Sequence, residues 1–231
     1  MSVCEASLNK RQFWIDQIES LWLEKNIIWL KGVRRSGKTT VCKSHKKFKD
    51  SLTDRKREQW LTPINVKDFK AFDHLELEDR LFKGGFPAVC NQSKFDENYF
   101  SDWIDSYWAK DIQEQFSIRK RDSFIKFFEL LCLQSGSMFE AKLFSSPCAV
   151  SHNTINSFLD VLELTRIAIK LRPFFKNKSK EIISAPKVYF FDTGFISYFS
   201  GAQKMISEQL GNFFEHFVLN EFISLLKVKY S

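Results

Sequence analysis

The residues best placed to do chemistry are Gly32-Val33-Arg34-Arg35-Ser36-Gly37-Lys38-Thr39. Two glycines separated by four residues, then a lysine and a hydroxyl, form the pattern G-x-x-x-x-G-K-[ST]. That spacing suits the grip of a phosphate chain. Gly32 and Gly37 would let the backbone approach the phosphates, and the loop N–H groups would point at them. Lys38 would reach the terminal phosphates, and the Thr39 hydroxyl would sit on Mg²⁺. Arg34, Arg35, Ser36 and Thr40 complete the candidate binding set. Such a loop works between a strand and a helix N-terminus, whose dipole favours anions. Ile27-Ile28-Trp29-Leu30 is apolar and β-branched, which predicts a short buried strand. Thr39 to Phe48 can start the helix.

The chain that must position this loop has 231 residues, room for one large domain or two small ones. Hydrophobic residues make up 44%, and 25 phenylalanines predict an aromatic-rich core. A net charge of +7 favours polyanionic partners. Cys4, Cys42, Cys90, Cys132 and Cys148 are scattered and never C-x-x-C, which argues against a zinc site or a disulfide framework. A reducing, cytoplasmic setting is expected. No apolar run reaches about 18 residues, so no membrane span is expected, nor is a signal peptide.

Asn9 to Glu24 reads as an amphipathic helix, with Phe13, Ile15, Ile18, Leu21 and Trp22 on its apolar face. After the loop comes a basic patch: Lys43, Lys46, Lys47, Lys49, Arg55, Lys56 and Arg57. A solvated surface is its first reading, phosphate-backbone contact its second. Nothing from Val41 to Trp60 looks like an apolar strand ending in Asp or Asp-Glu, and Ser51-Leu52-Thr53-Asp54 is too short and polar. The only apolar run ending in Asp is Val188-Tyr189-Phe190-Phe191-Asp192, far downstream. The first strand is therefore expected to lack most of its sheet, an unstable arrangement for a parallel strand. If it folds, Ile27 to Leu30 should bury against the N-terminal helix and the aromatic helix around Trp103.

Beyond Thr62-Pro63, helices are predicted over Leu75–Phe82 and Phe95–Gln115, broken by Gly84-Gly85-Phe86-Pro87. Further helices are predicted over Asp122–Gln134, about Met138–Phe144, and after an N-cap at Ser151. Three helices with this turn resemble a helix-turn-helix. Apolar stretches Ile167–Phe175 and Ile182–Phe191, separated by Lys176-Asn177-Lys178-Ser179-Lys180, predict a hairpin, the wing of a winged helix. The recognition position would expose His152, Asn153, Asn156, Ser157 and Asp160. The wing carries Lys170, Lys176, Lys178 and Lys180. A final helix is predicted from about Glu208 to Leu226, with Glu215 and Glu221 as surface or catalytic carboxylates.

The order of these elements resembles the bacterial and archaeal AAA+-type ATP-binding proteins that carry a nuclease-like C-terminal domain of unknown function. The resemblance rests on GVRRSGKTT, Pro63 to Phe69, Gly84 to Pro87, and a helix ending near Asp111. Gln134 to Gly136, Thr154 to Glu163, Pro173-Phe174, Lys187 to Gly194 and Gly211 to Val218 extend it over most of the chain. It implies an α+β, mostly helical chain in four parts. These are a P-loop α/β ATPase remnant (1–62), a helical lid-like segment (63–116), a winged helix (117–186) and the start of a nuclease-like domain (187–231).

Departures from that family bear on function. About a hundred residues that supply its acidic Walker B strand are replaced here by about twenty. Of the nuclease-like carboxylates, Glu215 alone would match. The expectation is an ATP-binding protein with Mg²⁺ as cofactor, its Walker A loop intact and hydrolysis weak or absent, with no catalytic residue assigned. The alternative is a non-enzymatic winged-helix module that binds DNA or a protein partner.

Overall fold

The structure, a computed structural model, describes residues 11–24, 28–44, 57–72, 75–116 and 118–230. Most of the basic patch, Ile27, Cys4 and Ser51–Asp54 lie outside the described residues. So do the side chains of Trp29, Lys43, Arg57, Lys178 and Lys180.

Helix α1 (Gln12–Glu24) leads to strand β1 (Ile28–Lys31), the glycine loop, helix α2 (Lys38–Ser44) and strand β2 (Arg57–Trp60). β1 and β2 pair in parallel, Ile28 opposite Arg57 and Lys31 opposite Trp60. β1 thus has one partner strand, and among the described residues this two-stranded ladder is the whole of its sheet. Arg57-Glu58-Gln59-Trp60 shows no apolar run, but a ladder is made by backbone groups and needs none. Leu61, the next residue, is fully buried with Trp14, Ile15, Ile18 and Val41, and Ile28 and Leu30 pack on that cluster. β1 thus does bury against α1, while Trp103 reaches the loop instead of the strand: its indole N–H donates to Arg34 O at 3.2 Å.

A 3₁₀ turn (Val66–Ala71) follows, closed by a capping box between Asn65 and Asp68. Helices α3 (Leu77–Lys83), α4 (Pro87–Cys90) and α5 (Glu97–Tyr107) come next. α5 runs on through a π-helical turn (Trp108–Gln113) into α6 (Glu114–Phe116). Asp96 caps α5 by accepting from Tyr99 N.

Then come α7 (Arg121–Leu133), β3 (Ser137–Met138), α8 (Ala141–Ser145), α9 (His152–Leu164) and β4 (Ala168–Leu171). The chain ends with α10 (Lys178–Ile183), β5 (Lys187–Phe190), α11 (Thr193–Ser200) and α12 (Ser207–Tyr230). Ser151 caps α9 as predicted, accepting from Thr154 N. β5 lies between β3 and β4, antiparallel to both, so this sheet runs across residue 186. The predicted wing is corrected in part. Its strands pair only over Ala168–Leu171 and Lys187–Phe190, and the connection holds helix α10. Asn177 decides this: its side-chain oxygen accepts from Ser179 N and its carbonyl from Glu181 N, which starts a helical turn.

The fold among the described residues is α+β and mostly helical. Its main core runs from Val33 to Phe217 and is aromatic, as the composition predicts. Phe195 of α11 meets Trp103 of α5 edge-on at 4.9 Å, and Phe128 of α7 meets Phe190 of β5 at 4.7 Å. No helix among the described residues is long and apolar enough to cross a membrane.

Candidate functional site

The glycine loop leaves β1 with Gly32 at φ +154°, passes Arg35 at +61° and enters α2 through Gly37 at +90°. A side chain at Gly32 would meet the Leu61 carbonyl at 2.5 Å, so glycine is required there. The Lys38 ammonium folds back over the loop and donates to Gly32 O and Val33 O, each at 2.7 Å. Burial lowers its pKa; the Asp111 carboxylate acts against that, and Arg34 adds to it. Thr39 and Arg35 are exposed, and Arg35 lies 5.2 Å over the Tyr99 ring. Gly37, Lys38 and Thr40 are half-buried. Ser36 Oγ is buried without a hydrogen-bond partner.

Two ion pairs grip the loop from opposite sides. Arg34 Nε donates to Asp111 Oδ2 at 2.8 Å, in a half-buried pair at the π-helical turn. Behind the loop, the buried Arg11 donates to Ser36 O (3.0 Å), Thr62 O (2.8 Å) and Pro63 O (3.1 Å). It also pairs with the buried Asp68 carboxylate, to which Trp14 Nε1 donates at 3.3 Å. Every predicted loop residue from Gly32 to Thr40 therefore sits on one wound segment. Sequence reading missed Arg11, set Trp103 against the strand and not the loop, and had Asp111 only as a helix end. A lone arginine before a helix carries no local signal.

The other motifs also meet in pairs. Asp192 caps α11 through Gly194 N (2.9 Å), and its second oxygen accepts from Gly85 N at 2.7 Å. Gly84, at φ +87°, has no room for a Cβ beside that carboxylate. Burial raises the Asp192 pKa, opposed by Arg80. The run Val188–Asp192 thus serves the three-stranded sheet and the Gly-Gly turn, and does not stand beside β1. Ser135 Oγ, after α7, accepts from Phe190 N at 2.6 Å and lies 2.6 Å from His216 Nε2. Phe190 N also reaches Nε2, at 3.2 Å, so that nitrogen accepts and the ring is neutral. Burial pushes the His216 pKa down to about 4, against the backbone of Asn212 and the Glu215 carboxylate.

Glu215 and Glu221 serve different elements. Glu215 accepts from the Tyr189 hydroxyl and from Lys187 Nζ (3.3 Å), and the tyrosine's hydrogen bond foremost holds its pKa down. Glu221 accepts from Val66 N at 3.2 Å, and burial raises its pKa. No group of three or more His, Cys, Asp or Glu among the described residues is arranged to hold a metal ion. Cys42, Cys90, Cys132 and Cys148 are free thiols.

Residues 74–205, more than half of the chain, match the family described as "Domain of unknown function (DUF8612)". The chain belongs to the DUF8612 family. The matched DUF8612 segment runs from before α3 to beyond α11, so it holds Asp111, the Gly-Gly turn and Asp192, while the glycine loop lies outside it. The chain is also similar to the uncharacterized protein Mb2031c of Mycobacterium bovis and the uncharacterized protein Rv2008c of Mycobacterium tuberculosis. Each is 25% identical over 185 residues, covering 77% of this chain and 41% of the relative. The chain thus spans about two-fifths of the length of these curated relatives. No solved structure matches it.

Proposed function

We propose that the chain binds ATP through residues 32–40 and hydrolyses it weakly or not at all. The observation that carries this reading is the Lys38 ammonium bridging the Gly32 and Val33 carbonyls of a loop wound through two positive-φ glycines. A loop in that form aims N–H groups and a lysine at one point, which is what a triphosphate needs. Arg34 and Arg35 add positive charge beside it. The exposed Thr39 hydroxyl fits a Mg²⁺ ion. When bound, Mg²⁺ would neutralise charge on the phosphates. β2 exits into Leu61-Thr62-Pro63, so no carboxylate stands at its end to organise attack by water.

Calorimetry of MgATP with the wild type and Lys38→Ala tests this. A hydrogen bond to a charged group contributes about 1.5–3 kcal/mol, so the variant should bind at least about tenfold more weakly. Equal binding, or none in either protein, would refute the reading. Phosphate release abolished in Lys38→Ala would refute the absence of hydrolysis.

A second reading has its own support. The order α7–β3–α8–α9–β4–α10–β5, with strands in the order β3-β5-β4, resembles a winged helix, a module that binds DNA or protein, with α10 standing where the wing would turn. His152, Asn153, Asn156, Ser157 and Asp160 are all exposed on α9. Lys170, however, is drawn onto Asp160 (2.8 Å) and Glu163 (2.9 Å), which spends one wing cation on the helix itself. A gel shift at two salt concentrations tests it: DNA binding through phosphates must weaken steeply with salt, and no shift at low salt excludes DNA.

A further inference from the structure

A cavity of about 240 Å³ opens where the two parallel strands end. Val33 lines it from the glycine loop, and Thr62 and Pro63 line it from the exit of β2. The carboxyl ends of parallel strands are where open α/β sheets receive ligands. Ile169 of β4, Phe191 and Ile223 of α12 form the far side. Pockets for whole small molecules run to about 300–1,000 Å³, so this one suits part of a ligand. Its aromatic and aliphatic walls suit a flat, uncharged part. Asn220 also lines it; its amide nitrogen donates to Phe191 O at 3.0 Å, which leaves the amide oxygen to accept from a ring amine or hydroxyl. Charge is confined to Arg166 and the Glu163–Lys170 ion pair.

We infer that this cavity holds the base of the nucleotide whose phosphates lie on the loop, an assignment that rests on the loop being a phosphate site. Val33 joins the two: its carbonyl accepts from Lys38 while the residue lines the cavity. The bound nucleotide would touch the loop, β4 and α12 together.

The test is calorimetry of the full chain with MgATP and with magnesium tripolyphosphate. The wild type should bind ATP at least tenfold more tightly than tripolyphosphate. Ile223→Trp and Ile169→Trp, at half-buried positions, fill the cavity. Each should bring ATP down to the tripolyphosphate level while leaving tripolyphosphate binding unchanged. Equal wild-type affinity for the two ligands overturns the assignment without any variant, as does ATP binding indifferent to both tryptophans. In either case retained tripolyphosphate binding shows that the loop reading survives. Binding of neither ligand removes the loop reading and this assignment together.

Discussion

His216 shows what a single buried side chain imposes. Its Nε2 accepts from Phe190 N and sits against the Ser135 hydroxyl, a position that only the neutral ring fills. The folded pKa is about 4, against 6.5 for the free side chain. Between those values the unfolded chain binds one more proton than the folded one. The histidine's contribution is therefore complete above pH 6.5, falls as the pH drops, and levels off below about 4. The difference amounts to about 3 kcal/mol. Urea unfolding at pH 7 and pH 4 should show a loss larger by that amount in the wild type than in His216→Gln. Asp192, whose raised pKa works in the opposite direction, is common to both proteins and cancels. Parallel losses in the two proteins would assign the acid sensitivity elsewhere. Nothing in the sequence marks this histidine, because its partners stand 26 and 81 positions away.

Among the elements, those with a local signal were legible. The loop glycines, the Gly84-Gly85-Phe86-Pro87 break, the Ser151 cap and the apolar periodicity of α1, α5, α7, α9 and α12 each announce themselves within a few residues. β2 does not, since Arg57-Glu58-Gln59-Trp60 shows no apolar run and a backbone ladder needs none. Nor does α10, where two isoleucines that read as strand follow an asparagine that starts a helix. α11 was missed altogether; its cap, Asp192, reads equally well as the acidic end of a strand. The Gly-Gly turn tests the pairing of distant motifs. Gly84→Ala places a methyl group at φ +87° against the Asp192 carboxylate and Gly194 N. Left-handed strain and overpacking together should cost about 3 kcal/mol, read as a lower urea midpoint with an unchanged slope. A variant as stable as the wild type would mean that α3 and α11 are not held by this turn.

At the scale of the whole molecule, the two larger apolar clusters among the described residues have to be joined. One surrounds Trp14 and Leu61 under the parallel strands; the other is the aromatic core from Val33 onward. The loop passes between them, and Arg11 pins it from behind. Arg11→Met should leave the Asp68 carboxylate buried and unpaired, a loss of about 3–5 kcal/mol in urea unfolding. A loss under about 1 kcal/mol would place the joint elsewhere. Three of the groups that Arg11 reaches, at Ser36, Thr62 and Pro63, are main-chain carbonyls, and a carbonyl is present whatever residue supplies it. The tie is therefore written in one codon and received by positions that cannot mutate out of it. A saturation library selected for folded protein should be intolerant at position 11, yet should accept many side chains at 62 and 63 that keep the local volume.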